Sequence, residues 1–340
     1  MAKGRQKVTV ADIAKRAGVS TATVSNAMNG TGRVSEKTRS KVQKAMDELG
    51  FVRDYTAAKL RTGRSRLVGV LIQNIANPFY GEFSASFEAA LSQEGYLPII
   101  ANIGEDKAKQ SALIAEVIAH GVAGIIISPS ADTLLDDMQQ IIDHKIPVVT
   151  FVREIEEAEF DFVGAHDYRC GELAAHQFLK DNHSTFAVIG GLESSSTGRL
   201  RAKGFLDALK RAGVGDDAIV VKQGPQSRNY GREAAIELAD SPASFSAVFC
   251  HNDIVALGAS AGFLSKGRVI GKDLSLIGCD NLPEADIWNP PLTSVETYSR
   301  STGTIAAEII VSRINGDVGP PRVVRLEPEL IERQSTFALV

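Results

Sequence analysis

From Arg66 onward the chain repeats one pattern: a short, mostly apolar run, then a longer segment with apolar residues at helical spacing. LVGVLI (67–72), LPIIAN (97–102), AGIIIS (123–128) and PVVTFV (147–152) form a first series, and the helix after LVGVLI carries Phe79, Phe83, Phe87 and Leu91 on one stripe. Runs this apolar suit strands covered on both faces, and their alternation with helices is the rhythm of a doubly wound parallel sheet. A second series begins near Asp161: DFVGA, FAVIGG, AIVV, AVFC and LSLIG. Two series predict two α/β lobes with a cleft at their strand ends, where open sheets of this kind bind ligands.

Composition narrows the class. The 340 residues are 44% hydrophobic and 23% charged, as in ordinary globular chains. No run approaches the ~20 apolar residues of a membrane span, and MAKGRQKVTVADIAKRAG lacks an apolar signal-peptide core. Cys170, Cys250 and Cys279 are far apart and form no CxxC pair, so neither a disulfide framework nor a zinc site is indicated. The expectation is a cytoplasmic protein. GxGxxG after a strand, GxxxxGK[ST], GxSxG and HExxH are all missing. His166-Asp167 and His251-Asn252-Asp253 are the histidines near expected strand ends, and they read as polar cleft lining. The body is therefore expected to be a sensor without catalytic residues, metal or cofactor.

Charge is divided unevenly. Residues 1–66 hold 15 Lys and Arg against 5 Asp and Glu, a net +10, and the remainder carries −14. A basic head on an acidic body directs a polyanion to the head alone. The head has helix punctuation. Thr9 precedes VADIAKRAG, with Val10, Ile13, Ala14 and Ala17 at helical spacing and Gly18 as its stop. Ser20 caps TATVSNAMN, with Val24, Ala27 and Met28 inward, and Gly30 and Gly32 break it. Ser35 caps EKTRSKVQKAMDEL, with Val42, Ala45, Met46 and Leu49 apolar and Gly50 ending it. This is an all-α helix-turn-helix pattern, whose second helix fits a DNA major groove; a protein-binding three-helix bundle shares the spacing but not the need for so much positive charge.

VTVADIAKRAGVSTATVSNAMNGTGRVSEKTRSKVQKAMDELGFV resembles the headpiece of the lactose/galactose repressor (LacI/GalR) family. The resemblance continues through NPFY (77–80), RAKGF (201–205), FCHNDIVALGA (249–259), SLIGCDN (275–281), PPLTSV (290–295) and PELIERQST (328–336), nearly the whole chain. It implies a headpiece at 1–50, a hinge segment at 51–66, and a two-lobed, periplasmic-binding-protein-like effector domain. The N-lobe would be 67–165 and about 296–326, the C-lobe 166–295 and about 327–340, with STGTIAAEIIVSRI returning to the first lobe.

By this resemblance Thr21, Ala22 and Asn26 face base edges; Asn suits adenine N6/N7 and Ala22 a thymine methyl, where many relatives carry Arg at the Asn26 position and would read guanine. Thr9, Ser20, Thr23, Ser25, Asn29 and Thr38 suit phosphate oxygens, although Thr9 and Ser20 are equally explained as helix caps. In the hinge, Ala57, Leu60 and Arg61 fall at DNA-contacting positions, with Leu60 matching a leucine wedged into the minor groove. The alternative is a basic linker with Leu60 packed on the body. Arg53-Asp54 replaces a usual Pro-Asn and Ala58 a usual polar residue, yet Ala57, Ala58, Lys59 and Leu60 all favour helix.

For the cleft the family motifs nominate Asn77, Tyr80, Arg153, Asp167, Thr197, Arg201, Asn252 and Asp280, groups suited to the hydroxyls of a small polar ligand. Structural salt bridges and helix caps are the competing roles for these residues. Val152 stands where many sugar-binding members have Asp, and Gln226 where several carry a stacking aromatic. The implied protein is a transcription regulator, a repressor, binding double-stranded pseudo-palindromic operator DNA as a homodimer. Its effector would be a sugar, sugar phosphate or sugar acid. Val340 follows IERQST without leucine heptads, so no coiled-coil tetramer is expected. A carbohydrate-binding protein or enzyme with a vestigial head is the competing class, and steep salt dependence of DNA binding separates the two.

Overall fold

In the computed structural model, which describes residues 8–29, 31–52, 65–242 and 244–339, the chain forms two units, residues 1–64 and 65–340. In the first, Thr9 and Asp12 form a reciprocal capping box: the Asp12 N–H donates to Thr9 Oγ1 at 3.3 Å and the Thr9 N–H to Asp12 Oδ2 at 2.9 Å. This starts helix α1 (Val10–Ala17), which ends at Gly18 with φ 68°. Ser20 Oγ accepts the Thr23 N–H at 3.1 Å and opens α2 (Thr21–Asn29); Ser35 caps α3 (Glu36–Leu49). Ile13, Ala14, Val24, Ala27, Val42 and Ala45 are buried together, flanked by Val10, Met28, Met46 and Leu49. Arg16 Nε donates to Glu48 at 2.8 Å, tying α1 to α3.

The second unit holds two six-stranded sheets. The first contains β1 (Leu67–Ile72), β2 (Leu97–Asn102), β3 (Gly124–Ile127), β4 (Val148–Phe151), β5 (Asp161–Ala165) and β11 (Val323–Leu326), all parallel, in the order β11-β5-β4-β3-β1-β2. The second contains β6 (Phe186–Ile189), β7 (Ile219–Lys222), β8 (Ala247–Cys250), β9 (Ser275–Cys279), β10 (Thr293–Glu296) and β12 (Glu329–Ile331), in the order β12-β10-β9-β8-β6-β7, antiparallel only at β12.

One expectation is corrected. DFVGA, which the apolar pattern puts at the start of the second series although the resemblance puts 161–165 in the N-lobe, is β5 of the first sheet, between β4 and β11. Apolar pattern identifies a strand but not its sheet. Its Asp161 accepts both Nε and Nη2 of Arg313 at 2.8 Å and the Arg322 N–H at 2.7 Å, fastening it to α12 (Ser299–Ile314) and the approach to β11.

On the first lobe, α4 (Pro78–Gln93) buries Phe79, Phe83, Phe87 and Leu91. The Phe83 ring stacks on Phe151 of β4 at 4.0 Å and on Phe87 at 5.6 Å. Helix α12 crosses α4 closely, because Gly303 presents no Cβ to Phe83 O, which would lie 2.5 Å away. The chain passes between lobes three times, at 165–167, 296–299 and 326–329.

Two helices of the second lobe meet as tightly. α7 (Asp167–Lys180) and α8 (Ser196–Arg211) cross where a Cβ on Gly204 would lie 1.9 Å from Tyr168 O, and one on Gly171 2.0 Å from Arg201 O. Backbone cannot yield as a side-chain tip can. Gly204→Ala is expected to push the helices apart at a cost of about 1–3 kcal/mol, lowering Tm by about 2–10 °C in a thermal melt.

Candidate functional site

Each sheet has a topological switch point. β1 lies between β2 and β3, and β6 between β7 and β8, so the loops leaving each pair diverge and open a crevice at the strands' carboxyl ends. In the first lobe, Gln73 Nε2 donates to Pro129 O at 2.6 Å across that crevice, and the buried Tyr80 hydroxyl donates to Gln73 Oε1 at 2.7 Å. Burial pushes the Tyr80 phenol up to about 12. Asn77 uses its side-chain oxygen to cap α4, accepting the Phe79 N–H at 3.0 Å. Arg153, only 1% exposed, grips Glu105 with both terminal nitrogens, at 2.7 and 2.9 Å, and also donates to Pro129 O at 3.1 Å. Its Nε is buried without a partner.

In the second lobe Arg201 is the centre. Its Nε donates to Asp167 Oδ1 at 2.7 Å, and its Nη1 to His251 O at 2.9 Å and Asp280 Oδ1 at 3.4 Å. All three ionisable groups are buried. Burial raises both carboxyls against the pull of the guanidinium, Asp280 to about 6, and the Asp280 backbone adopts φ 114°. The His251 ring is pushed well below the ordinary histidine range by burial and then by the charges of Arg201 and Arg153. Asn252 caps α10 (Asp253–Ser265) by accepting the Val255 N–H at 3.0 Å, and Thr197 Oγ1 is buried without a partner.

The lobes meet here. Phe79, Val152, Gly164, Ala165 and Thr302 from the first side and Asp167, Arg201 and Thr297 from the second line a small pocket beside two of the interlobe crossings. Glu154 N–H donates to Ser196 Oγ at 3.0 Å, the Asp132 N–H to Ser194 O at 3.3 Å, and Glu156 pairs with Arg199. Ile254 and Leu282 of the second lobe are buried in the cluster that holds Phe79 and Tyr80.

Of the nominated residues, the fold brings Asp167, Arg201 and Asp280 into direct contact. Asn77 and Asn252 spend their side-chain oxygens on helix caps, and Arg153 is joined to Glu105. Sequence reasoning passed over Glu105, Gln73, Ser128, Ser196 and Thr297. A usable signal existed for most of them: Gln73, Ser128 and Glu105 stand one to three residues beyond a strand end.

In the head, Thr21, Ala22 and Asn26 are exposed on α2, away from Val24 and Ala27. The Asn26 side chain lies against the next turn, accepting from Thr31 Oγ1 at 3.5 Å. Thr23, Ser25 and Thr38 are half-buried; Thr9 and Ser20 are caps, and the Thr38 hydroxyl meets Ser35 Oγ at 2.9 Å. Asn29 ends α2. Ala57, Leu60 and Arg61 lie outside the described residues. Among the described residues, no cluster of His, Cys, Asp or Glu could hold a metal and no helix is long and apolar enough to cross a membrane.

A helix-turn-helix unit and a two-lobed unit with a polar crevice define a DNA-binding regulator with its own ligand-binding domain. Residues 9–54 match the bacterial regulatory proteins of the lacI family, and residues 175–336 match the periplasmic binding protein-like domain. The chain is similar to the HTH-type transcriptional regulator DegA of Bacillus subtilis (strain 168), 32% identical over 98% of this chain and 99% of DegA. It is also similar to the HTH-type transcriptional repressor PurR of Vibrio atlanticus (strain LGP32), 32% identical over 97% and 99%. The operator-bound lac repressor dimer has the same fold, with a TM-score of 0.86 at 24% identity over 98% of this chain and 100% of that one. The chain belongs to the LacI family and is a DNA-binding transcriptional regulator.

Arg201 holds two buried carboxylates, so removing it strands them. Arg201→Ala is expected to destabilise the domain by about 3–5 kcal/mol at pH 8. The penalty shrinks in acid. A carboxyl raised in the fold contributes stability that is full below the unfolded value of 3.8 and lost as pH rises through about 6, as for Asp280. Without the guanidinium both carboxyls rise further, so the deficit against the parent is smaller at pH 5 than at pH 8. Urea unfolding of both proteins at the two pH values measures it.

Proposed function

We propose that the chain is an effector-controlled repressor, binding pseudo-palindromic operator DNA as a homodimer and carrying a small polyol, a sugar or sugar derivative, between its lobes. The observation that carries the effector reading is the buried group of Asp167, Arg201 and Asp280 at the edge of a pocket whose opposite wall is Phe79 and Val152. Carboxylates take hydroxyl hydrogens, the guanidinium takes hydroxyl oxygens, and the apolar wall takes the C–H face of a ring. Catalysis is no part of this role: the cleft cations are paired and His251 is held neutral deep in the lobe. The protein works in the cytoplasm, on the nucleoid when operator-bound.

On DNA, exposed Thr21, Ala22 and Asn26 read base edges from α2, Asn26 donating to N7 and accepting from N6 of an adenine. Thr9, Ser20, Thr23, Ser25, Asn29 and Thr38 fix the head on phosphates, and Ala57, Leu60 and Arg61 contact the minor groove. A dimer places one head on each half-site. The effector acts through different affinities for two arrangements of the lobes. A ligand gripped by both lobes ties them together and alters the spacing of the hinge segments across the dimer.

An operator selected from random DNA, with fluorescence anisotropy as readout, tests both halves. Asn26→Ala is expected to lose about 1–3 kcal/mol on that operator and to relax preference at one base pair per half-site, with binding to random DNA unchanged. Uniform weakening on all sequences would make Asn26 a phosphate contact. Arg201→Lys keeps the charge but loses the fork; it is expected to bind operator like the parent in the uninduced state and to lose most of its response to ligand. A full response would make Arg201 structural.

A further inference from the structure

We propose that the effector carries an oxyanion, a carboxylate or a phosphate, and that this group docks where the N-terminus of α8 meets Arg153. This deepens the reading of the cleft as the effector site and rests on it.

Among the described residues, three buried side-chain polar atoms have no hydrogen-bond partner: Arg153 Nε, Thr197 Oγ1 and Gln226 Nε2. Arg153 and Thr197 are 1% and 2% exposed. An unpaired buried polar group costs about 1–3 kcal/mol, so a structure keeps one where a ligand repays it. The chemistry of the three is one-sided. The two nitrogens can only donate and the hydroxyl can donate, so what satisfies them together is a cluster of acceptors.

The segments that carry them are neighbours in the fold. Thr197 lies in the first turn of α8, a 16-residue helix whose opening N–H groups lack partners within the helix and whose dipole favours negative charge. The neighbouring Ser196 accepts the N–H of Glu154, which follows Arg153 directly, so the first turn of α8 abuts the strand end that carries the guanidinium. The bridge between Gly191 and Gly224 brings the Gln226 loop alongside. The charges of Arg153 and Arg201 both act on His251, whose Nδ1 would lie 2.9 Å from a Cβ on Gly191.

Arg153 already displays the chemistry. Its terminal nitrogens hold the Glu105 carboxylate, which also accepts the Ala131 N–H at 2.9 Å, and the Nε edge remains unused. An acidic ligand completes that guanidinium, with its hydroxyls toward Asp167 and Asp280.

The test is calorimetric titration of the full-length protein with D-glucuronate, D-galacturonate, D-gluconate and D-glucose 6-phosphate, beside D-glucose and D-galactose. An acidic member is expected to bind about tenfold or more tighter than its neutral counterpart, the value of one charge-assisted hydrogen bond. The uronate and phosphate arms separate the two oxyanions. Thr197→Val is expected to weaken the acid by about tenfold while leaving the Tm of the free protein level or higher, because an orphan hydroxyl has been removed. An unchanged affinity for the acid in Thr197→Val, or a fall in free-protein Tm, overturns the proposal. A neutral sugar that binds as tightly as the acid, and is weakened by Arg201→Lys, also overturns it but leaves the cleft an effector site. If no compound of either set binds, both fall.

Discussion

The guanidinium of Arg201 stands where α7, α8 and the ends of β8 and β9 come together, and it meets a group from each: Asp167, the His251 carbonyl and Asp280. Two carboxylates compete for one cation in a space closed to water, and that imbalance sets the electrostatics of the second lobe. Burial raises both acids, and Asp280 reaches the edge of the neutral range. The cluster can exist only because Gly171 and Gly204 let α7 and α8 approach backbone to backbone. A packing requirement in the helix interior thus decides where charge sits at the helix ends.

Much of the architecture was legible before any coordinates. In the head, the caps Thr9, Ser20 and Ser35 and the stops Gly18 and Gly50 are local signals, and the apolar residues at helical spacing form the buried cluster. In the body, apolar runs identify strands; central strands such as β1 and β3 are buried on both faces, while the edge strand β2 leaves Leu97 and Ile100 exposed. What such runs lack is an address. β5 reads like its successors in sequence, and its ladders to β4 and β11, with the Asp161–Arg313 pairing across 152 residues of chain, place it in the first sheet. The cleft divides similarly. Asp167, Arg201 and Asp280 were nominated through motifs, but Glu105 was not, because its significance lies in a partner 48 residues away on another strand end. Helix capping by Asn77 and Asn252 was one of two roles the sequence left open, since a capping amide and a ligand-binding amide occupy the same kind of position after a strand.

Charge partition and the cleft are complementary parts of one design. The head concentrates positive charge while the body is acidic, so the body adds no general attraction to DNA. Within the body, positive charge at the crevice is neutralised in place, Arg153 by Glu105 and Arg201 by Asp167 and Asp280. The crevice therefore offers directed hydrogen-bond donors and acceptors without presenting a basic surface.

The three crossings between lobes also set an order for synthesis. The second sheet has its core strands β6 to β9 by residue 279, whereas the first lobe waits for α12 at 299–314 and edge strand β11 at 323–326. Until then the face of α4 that meets Gly303, near Phe83 and Phe87, has no covering helix, although both rings are completely or almost completely buried in the finished fold. The second lobe closes later still, when β12 at 329–331 pairs with β10 and Ser335 Oγ accepts the Thr293 N–H at 2.8 Å, so neither lobe is finished until the last stretch of chain emerges. Meanwhile the nascent chain carries an open hydrophobic flank, the condition in which chaperone capture and aggregation compete with completion. A truncation just after β11 would spare the first lobe and strip β12 and Ser335 from the second, so the last segment of the chain guards the lobe encoded in its middle.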